Sequence, residues 1–169
     1  GHLANLWGFG HTGKVTQAPV PPAVEHALRH TGWHKLEIDT EQQRIRQPGH
    51  LHLDLCSTAK GYAVDDIAHY LKRLKIASYL IEVGGELRGL GCKPDGQPWW
   101  VELEEPPTVS TQLSSATIIA LHGLSIATSG DYHRCFTVDA QHYSHTIDPR
   151  TGYPVQHGLA SVTVLHPEC

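Results

Sequence analysis

Apolar positions along this chain recur in two periods, and the changes from one period to the other mark out its elements. Pro21 or Pro22 suits the first turn of a short helix over residues 23–30, closed by Gly32. A longer helix follows Lys60, with Ala63, Ile67, Leu71 and Leu74 recurring at three- and four-residue intervals as its apolar face. The other segments alternate with a period of two. Residues 35–39 and 44–46 read as a short hairpin, and Leu51, Leu53 and Leu55 as a half-buried strand. Residues 78–83 read as a buried strand. Residues 87–90, 99–103 and 117–121 continue the sheet across turns at Pro94-Asp95-Gly96 and Pro106-Pro107. Residues 135–139 and 142–147 form two strands about a turn at Ala140-Gln141, and residues 160–165 form a last strand. Hairpin-like pairs outnumber strand-helix-strand alternations. The predicted fold is therefore α+β, a mainly antiparallel sheet with a few packed helices.

Composition narrows the function. A length of 169 residues suits one domain, with 40% hydrophobic and 18% charged residues and no run long enough to cross a bilayer. Thirteen basic against seventeen acidic residues, without a Lys/Arg cluster, leave no electrostatic footprint for nucleic acid. Cys56, Cys92, Cys135 and Cys169 form no Cys-x-x-Cys pair, which removes the usual zinc spacings. Fourteen histidines are many; His50-x-His52 would share one face of a strand, but no third ligand type clusters with them in the sequence. The chain has no methionine and opens on Gly1-His2, which suggests a fragment of a longer protein.

Four stretches carry candidate chemistry. From Asp54 to Asp65 small residues lead a strand into a helix N-terminus, whose backbone N–H groups and dipole suit an anion such as a pyrophosphate, with Lys60 adding positive charge. A capped helix start, with Ser57 or Thr58 as N-cap, accounts for the same residues equally well. Gly84-Gly85-Glu86 lets the backbone approach a ligand closely, or forms a bulge. Ile126 through Tyr132, including Ser129 and Gly130, reads as a polar loop. In Ser144-His145-Thr146-Ile147-Asp148-Pro149-Arg150-Thr151-Gly152, Pro149 and Gly152 force a tight loop and place His145 on a rigid element suited to proton transfer. Turn chemistry explains most of those residues too.

Taken in order, Leu-Trp-Gly-Phe-Gly at 6–10, the Asp54–Asp65 stretch, Val83-Gly84-Gly85-Glu86, Thr128-Ser129-Gly130-Asp131-Tyr132 and the Ser144–Gly152 loop closely resemble the FAD:protein FMN transferase family, ApbE. The resemblance covers essentially the whole chain as a single ApbE-like domain, and the last motif is the most distinctive. It implies a periplasmic or cell-surface enzyme, often lipid-anchored, that cleaves FAD at its pyrophosphate with magnesium. FMN then passes to a threonine hydroxyl of an acceptor flavoprotein, such as subunits of Nqr- and Rnf-type respiratory complexes, and AMP is released. His145 would be the base. Asp54 and Lys60 would contact FAD, Ile147 would line the flavin site, and the Ser57 carbonyl would be one metal ligand. Gly84, Gly85, Ser129 and Gly130 would supply ligand-side backbone. The family's remaining metal ligands lie in an Asp-Ala-x-x-Thr segment past the final strand, and further FAD contacts lie upstream of Leu6; neither is in this sequence. The 169-residue chain is therefore expected to be inactive alone. An FAD pyrophosphatase that uses water as nucleophile, or a non-catalytic flavin-binding module, are the alternatives.

Overall fold

The structure is a computed structural model and describes residues 1–106 and 116–169. In chain order the elements are helices α1 (His2–Leu6) and α2 (Pro21–Arg29), a 3-10 turn at Trp33–Lys35, strands β1 (Glu37–Asp39) and β2 (Arg44–Arg46), and helix α3 (Ala59–Arg73). Strands β3 (Tyr79–Val83), β4 (Glu86–Leu90), β5 (Trp99–Glu102), β6 (Ile118–Leu121), β7 (Leu124–Gly130), β8 (Cys135–Val138), β9 (Gln141–Ser144) and β10 (Ser161–His166) follow. All the paired strands described are antiparallel, as an α+β fold requires. The chain divides into two compact units. One is Gly1–Asp54 with Asp131–Gly158; the other is Leu55–Gly130 with Leu159–Cys169.

The core of the first unit is Leu3, Trp7, Val24 and Ala27, with Leu6, Phe9, Leu28, Phe136, Tyr143 and Ile147 packed around it. Helix α2 begins with its two prolines in the first turn, where their missing N–H groups cost nothing, and buries Val24 and Ala27. Helix α1 has no signature in the sequence. Five residues are too few to show a period or to hold a helix alone, and what keeps them helical is the burial of Leu3. The β8–β9 register pairs Val138 with Gln141, so the turn residues are Asp139 and Ala140, one position earlier than expected. Both have positive φ, at 48° and 64°, the conformation of a two-residue turn that matches strand twist. Leu51, Leu53 and Leu55 do not form the expected strand. They lie in irregular chain, with Leu51 buried and the other two exposed, because no neighbouring strand pairs with them.

In the second unit a four-stranded sheet runs β10-β7-β4-β3, and α3 lies against β3 and β4. Val64 and Ala68 of α3 bury against Ile81, with Leu71, Tyr79, Val83 and Cys169 around them. The helix therefore buries a stripe one residue on from the expected one, and Ile67 and Leu74 are exposed. Only Ile81 of β3 is fully buried, so the strand alternates instead of being buried throughout. Strands β5 and β6 form a separate pair instead of extending the sheet. The Trp99 indole N–H donates to the Leu90 carbonyl at 2.9 Å, and a Cβ on Gly89 would stand 2.6 Å from the Leu121 Cβ. Ile126–Gly130 is not a loop: it is most of β7, paired along its length with β10. Pro106 is in irregular chain, while Pro107 of the expected turn lies outside the described residues.

Ala140 holds a left-handed backbone conformation that an L side chain pays for at about 1–2 kcal/mol. Ala140→Gly is therefore expected to raise the unfolding free energy by about 1 kcal/mol, read from the urea midpoint at unchanged slope. A lower midpoint would show that the turn is not strained.

Candidate functional site

In the first unit the Ser144–Gly152 loop leaves the end of β9 and is closed by its own backbone. Asp148 N donates to the Tyr153 carbonyl at 2.9 Å, Gly152 N to the Asp148 carbonyl at 2.8 Å, and Val155 N to the Thr146 carbonyl at 2.9 Å. The Asp148 carboxylate accepts from Arg150 three times: from N at 2.9 Å and Nε at 3.0 Å on Oδ1, and from Nη2 at 2.8 Å on Oδ2. These bonds hold the Asp148 carboxyl below its ordinary pKa, the side-chain bond from Arg150 most, while desolvation opposes them. Asp148 is thus committed to the turn. Gly152, at φ 80°, has no room for a side chain: a Cβ would stand 2.8 Å from Val24 Cγ1. Its carbonyl accepts from the buried Trp7 indole N–H at 2.8 Å.

His145 is half-buried just past β9. Its backbone N donates to the Arg134 carbonyl at 2.9 Å, and its ring meets Phe9 edge-on, with centroids 6.3 Å apart. The Arg134 guanidinium in turn donates from Nη2 to the Phe9 carbonyl at 2.8 Å. Phe9 and Arg134 position the histidine, and only Phe9 lay in a stretch that stood out in the sequence. Ile147, expected at the flavin, packs against the hydrophobic core of its unit and bridges to Pro154. Asp54 lies in the same unit, its Oδ2 3.1 Å from the Gly1 ammonium.

In the second unit Lys60 is the second residue of α3. Its Nζ lies 2.6 Å from Glu86 Oε2 and donates to the Gly84 carbonyl at 3.0 Å. Its charge is therefore partnered by Glu86, a residue given no role by the sequence because its contact spans the helix and a strand. Gly84 and Gly85, with φ of 58° and 100°, form the tight β3–β4 turn and not a bulge. A Cβ on Gly84 would stand 2.9 Å from Lys60 Cδ, so the glycine makes room for the lysine, while the Cβ position of Gly85 faces open space. Thr58 occupies the N-cap position but makes no side-chain cap; its hydroxyl donates backwards to the Leu55 carbonyl at 3.3 Å. Ser57 is in the exposed turn before it. Ser129 and Gly130 sit in β7, opposite Val162 and Ser161, with their backbone spent on the ladder and not on a loop.

The ApbE family model matches residues 1–169. The chain belongs to the ApbE family. It is 37% identical over 170 residues to an FAD:protein FMN transferase of Haemophilus influenzae, covering 99% of this chain and 49% of that protein. It is 40% identical to the Vibrio cholerae FAD:protein FMN transferase, covering 100% of this chain and 50% of that protein. Among solved structures it is similar to apo Pseudomonas stutzeri flavinyl transferase ApbE, with 41% identity, a TM-score of 0.84 and coverage of 99% and 50%. The Thermotoga maritima ApbE protein gives 34% identity, a TM-score of 0.82 and coverage of 99% and 53%. The chain thus spans about half the length of the curated relatives it matches.

Membership of the ApbE family gives Ser57 its interest, but the residues present do not by themselves suit magnesium. That ion takes near-octahedral oxygen coordination. Among the described residues no three His, Cys, Asp or Glu side chains form a metal-holding group, and one main-chain carbonyl is too little.

Two measurements test these assignments. Because Asp148 is held below its usual pKa, its pairing stabilises the fold fully at neutral pH and is lost as pH falls through the folded-state value. Carbon NMR titration of Asp148 should show a value below that of an unfolded peptide, moving back up in Arg150→Ala. A double-mutant cycle on Lys60→Ala and Glu86→Ala should return a coupling of about 1 kcal/mol that shrinks with added salt, since Lys60 is partly exposed. Zero coupling at low salt would release the lysine for other work.

Proposed function

We propose that the protein of which this chain is the matched part transfers FMN from FAD to a threonine hydroxyl of an acceptor flavoprotein. The observation that carries the reading is the match along the chain's whole length to proteins named FAD:protein FMN transferase, at up to 40% identity. In that reaction the FMN phosphorus gains a bond to threonine Oγ, the pyrophosphate bond breaks, and AMP leaves with the bridging oxygen. The hydroxyl is a weak nucleophile and needs a base near neutral pH. His145 takes that proton in our reading, supported by its position on a loop fixed by the Asp148 turn and by its contact with Phe9. Asp54, Lys60 and Ile147 are assigned to FAD; for Lys60 this requires that an arriving phosphate compete with Glu86. Magnesium dependence, with Ser57 as one carbonyl ligand, and a periplasmic, lipid-anchored setting belong to the same proposal.

The test incubates the full-length protein with FAD, magnesium and an acceptor peptide, and follows the peptide's mass. His145→Gly should lower transfer by about 10²–10⁴-fold with FAD binding retained, the range typical for loss of a positioned base. Undiminished transfer removes His145 from the mechanism. Free FMN and AMP without a peptide adduct would reassign the activity to hydrolysis. The 169-residue chain alone is expected to give no transfer.

A further inference from the structure

The Lys60 ammonium is seated in the turn between β3 and β4. Nζ lies 2.6 Å from Glu86 Oε2 and donates to the Gly84 carbonyl at 3.0 Å. Gly84 belongs to the same fitting: a Cβ there would stand 2.9 Å from Lys60 Cδ, so a side chain would push the lysine out. An ammonium has three N–H donors, and two of them are engaged by this turn.

The two charged partners do not depend on each other equally. The Glu86 side chain is 13% exposed against 42% for Lys60. Glu86 Oε2 is shut off from solvent and, among the described residues, meets no hydrogen-bond donor besides the lysine. A carboxylate so placed has lost most of its hydration, and parting it from its cation leaves a buried charge without compensation. The next cation on the strand is already engaged: Arg88, two residues on and on the same side of β4, pairs with Asp65 of α3. Lys60 can turn to water, whereas Glu86 cannot.

We propose that Glu86 sets the affinity for FAD through Lys60, as a built-in competitor that weakens the hold of the start of α3 on the FAD phosphates. The inference rests on the assignment of Lys60 to FAD made above. A phosphate that reaches Lys60 takes the ammonium from Glu86 or shares it, and either way it lies within about 5 Å of a carboxylate with little water to screen it. Glu86 also orders the lysine, which favours binding. That benefit is limited to the rotamer freedom of one long side chain, which the Gly84 carbonyl restrains as well, so the like-charge repulsion outweighs it.

The experiment titrates the full-length protein by calorimetry with FAD, with inorganic pyrophosphate and with riboflavin, at low salt and with EDTA to remove divalent cations. Glu86→Gln keeps the shape and drops the charge. It should tighten FAD and pyrophosphate by more than about threefold, a gain that shrinks at high salt, and leave riboflavin unchanged. Glu82→Gln removes the same charge from an exposed position of β3 and should change none of the three. In the transfer assay Glu86→Gln should lower KM for FAD with kcat held. A purely structural role for Glu86 predicts weaker binding on its loss, so a gain tells the two apart. If circular dichroism shows that Glu86→Gln does not fold, the wild type decides: its Glu86 carboxyl carbon NMR signal should shift as pyrophosphate is added. Unchanged or weaker binding of FAD and pyrophosphate by folded Glu86→Gln, or a Glu86 signal that stays in place through the pyrophosphate titration, overturns the proposal. Lys60→Gln that binds FAD as well as the wild type removes the assignment of Lys60, and the inference with it. A protein that shows the Glu86→Gln gain but transfers no FMN to a peptide would sink the transferase reading and leave this one standing.

Discussion

The hydrogen bond from the Trp7 indole to the Gly152 carbonyl holds the first unit to a single arrangement. Trp7 is 1% exposed, so its N–H has no access to solvent and must find an acceptor inside. The acceptor it finds lies at the far end of the His145 loop. Gly152 in turn must be glycine, since its φ is positive and a side chain would strike Val24 of α2. One bond thus couples three constraints: burial of the aromatic, the path of the loop, and packing on α2. Removing the indole would leave a cavity and an unpaired carbonyl together, and the loop that carries His145 would lose its anchor.

The second unit is organised by charge placed at a helix. Asp65, in the second turn of α3, accepts from the Arg88 guanidinium of β4 and from the Cys169 backbone N at 3.0 and 3.1 Å. Lys60, one and a half turns earlier, meets Glu86 of the same strand. Two ion pairs of opposite polarity therefore pin one face of α3 to β4, and they do so only in one register: Glu86 and Arg88 are two apart and so point to the same side of the strand. Slipping the strand by one residue would unpair both. This explains why α3 buries Val64 and Ala68 and leaves Ile67 outward, which apolar periodicity alone could not decide.

What the sequence disclosed follows from the range of each interaction. Turn chemistry is local, so Pro21-Pro22 and the Asp148–Gly152 turn could be read from neighbouring residues, as could the antiparallel character of the strands, whereas Gly84-Gly85 read as a bulge or a ligand approach and proved to be the β3–β4 turn. The ordered motifs sufficed to indicate the family. The hairpin turn was misplaced by one residue because Ala140 in a left-handed conformation contradicts its own propensity and is imposed by the β8–β9 pairing. Ser129 and Gly130 looked like a loop because serine, threonine and glycine favour loops, and only the partner strand β10, some thirty residues on, makes them a ladder. Glu86 as the partner of Lys60, and Arg134 as the support of His145, were invisible for the same reason: no local pattern encodes a contact across such separations.

The two candidate groups stand differently toward chemistry, and the difference is electrostatic. His145 has an edge-on aromatic neighbour and a fixed backbone. Lys60 starts from a paired state, and any anion that reaches it has to displace Glu86 or neutralise it with a further cation. A pyrophosphate brings more negative charge than one carboxylate, and the uncapped start of α3 adds a helix dipole in its favour. Glu86 then becomes an excess negative charge beside the phosphates, which disfavours binding without a counterion. The lysine–glutamate pair thus opposes anion binding at this helix unless a further cation offsets the Glu86 charge.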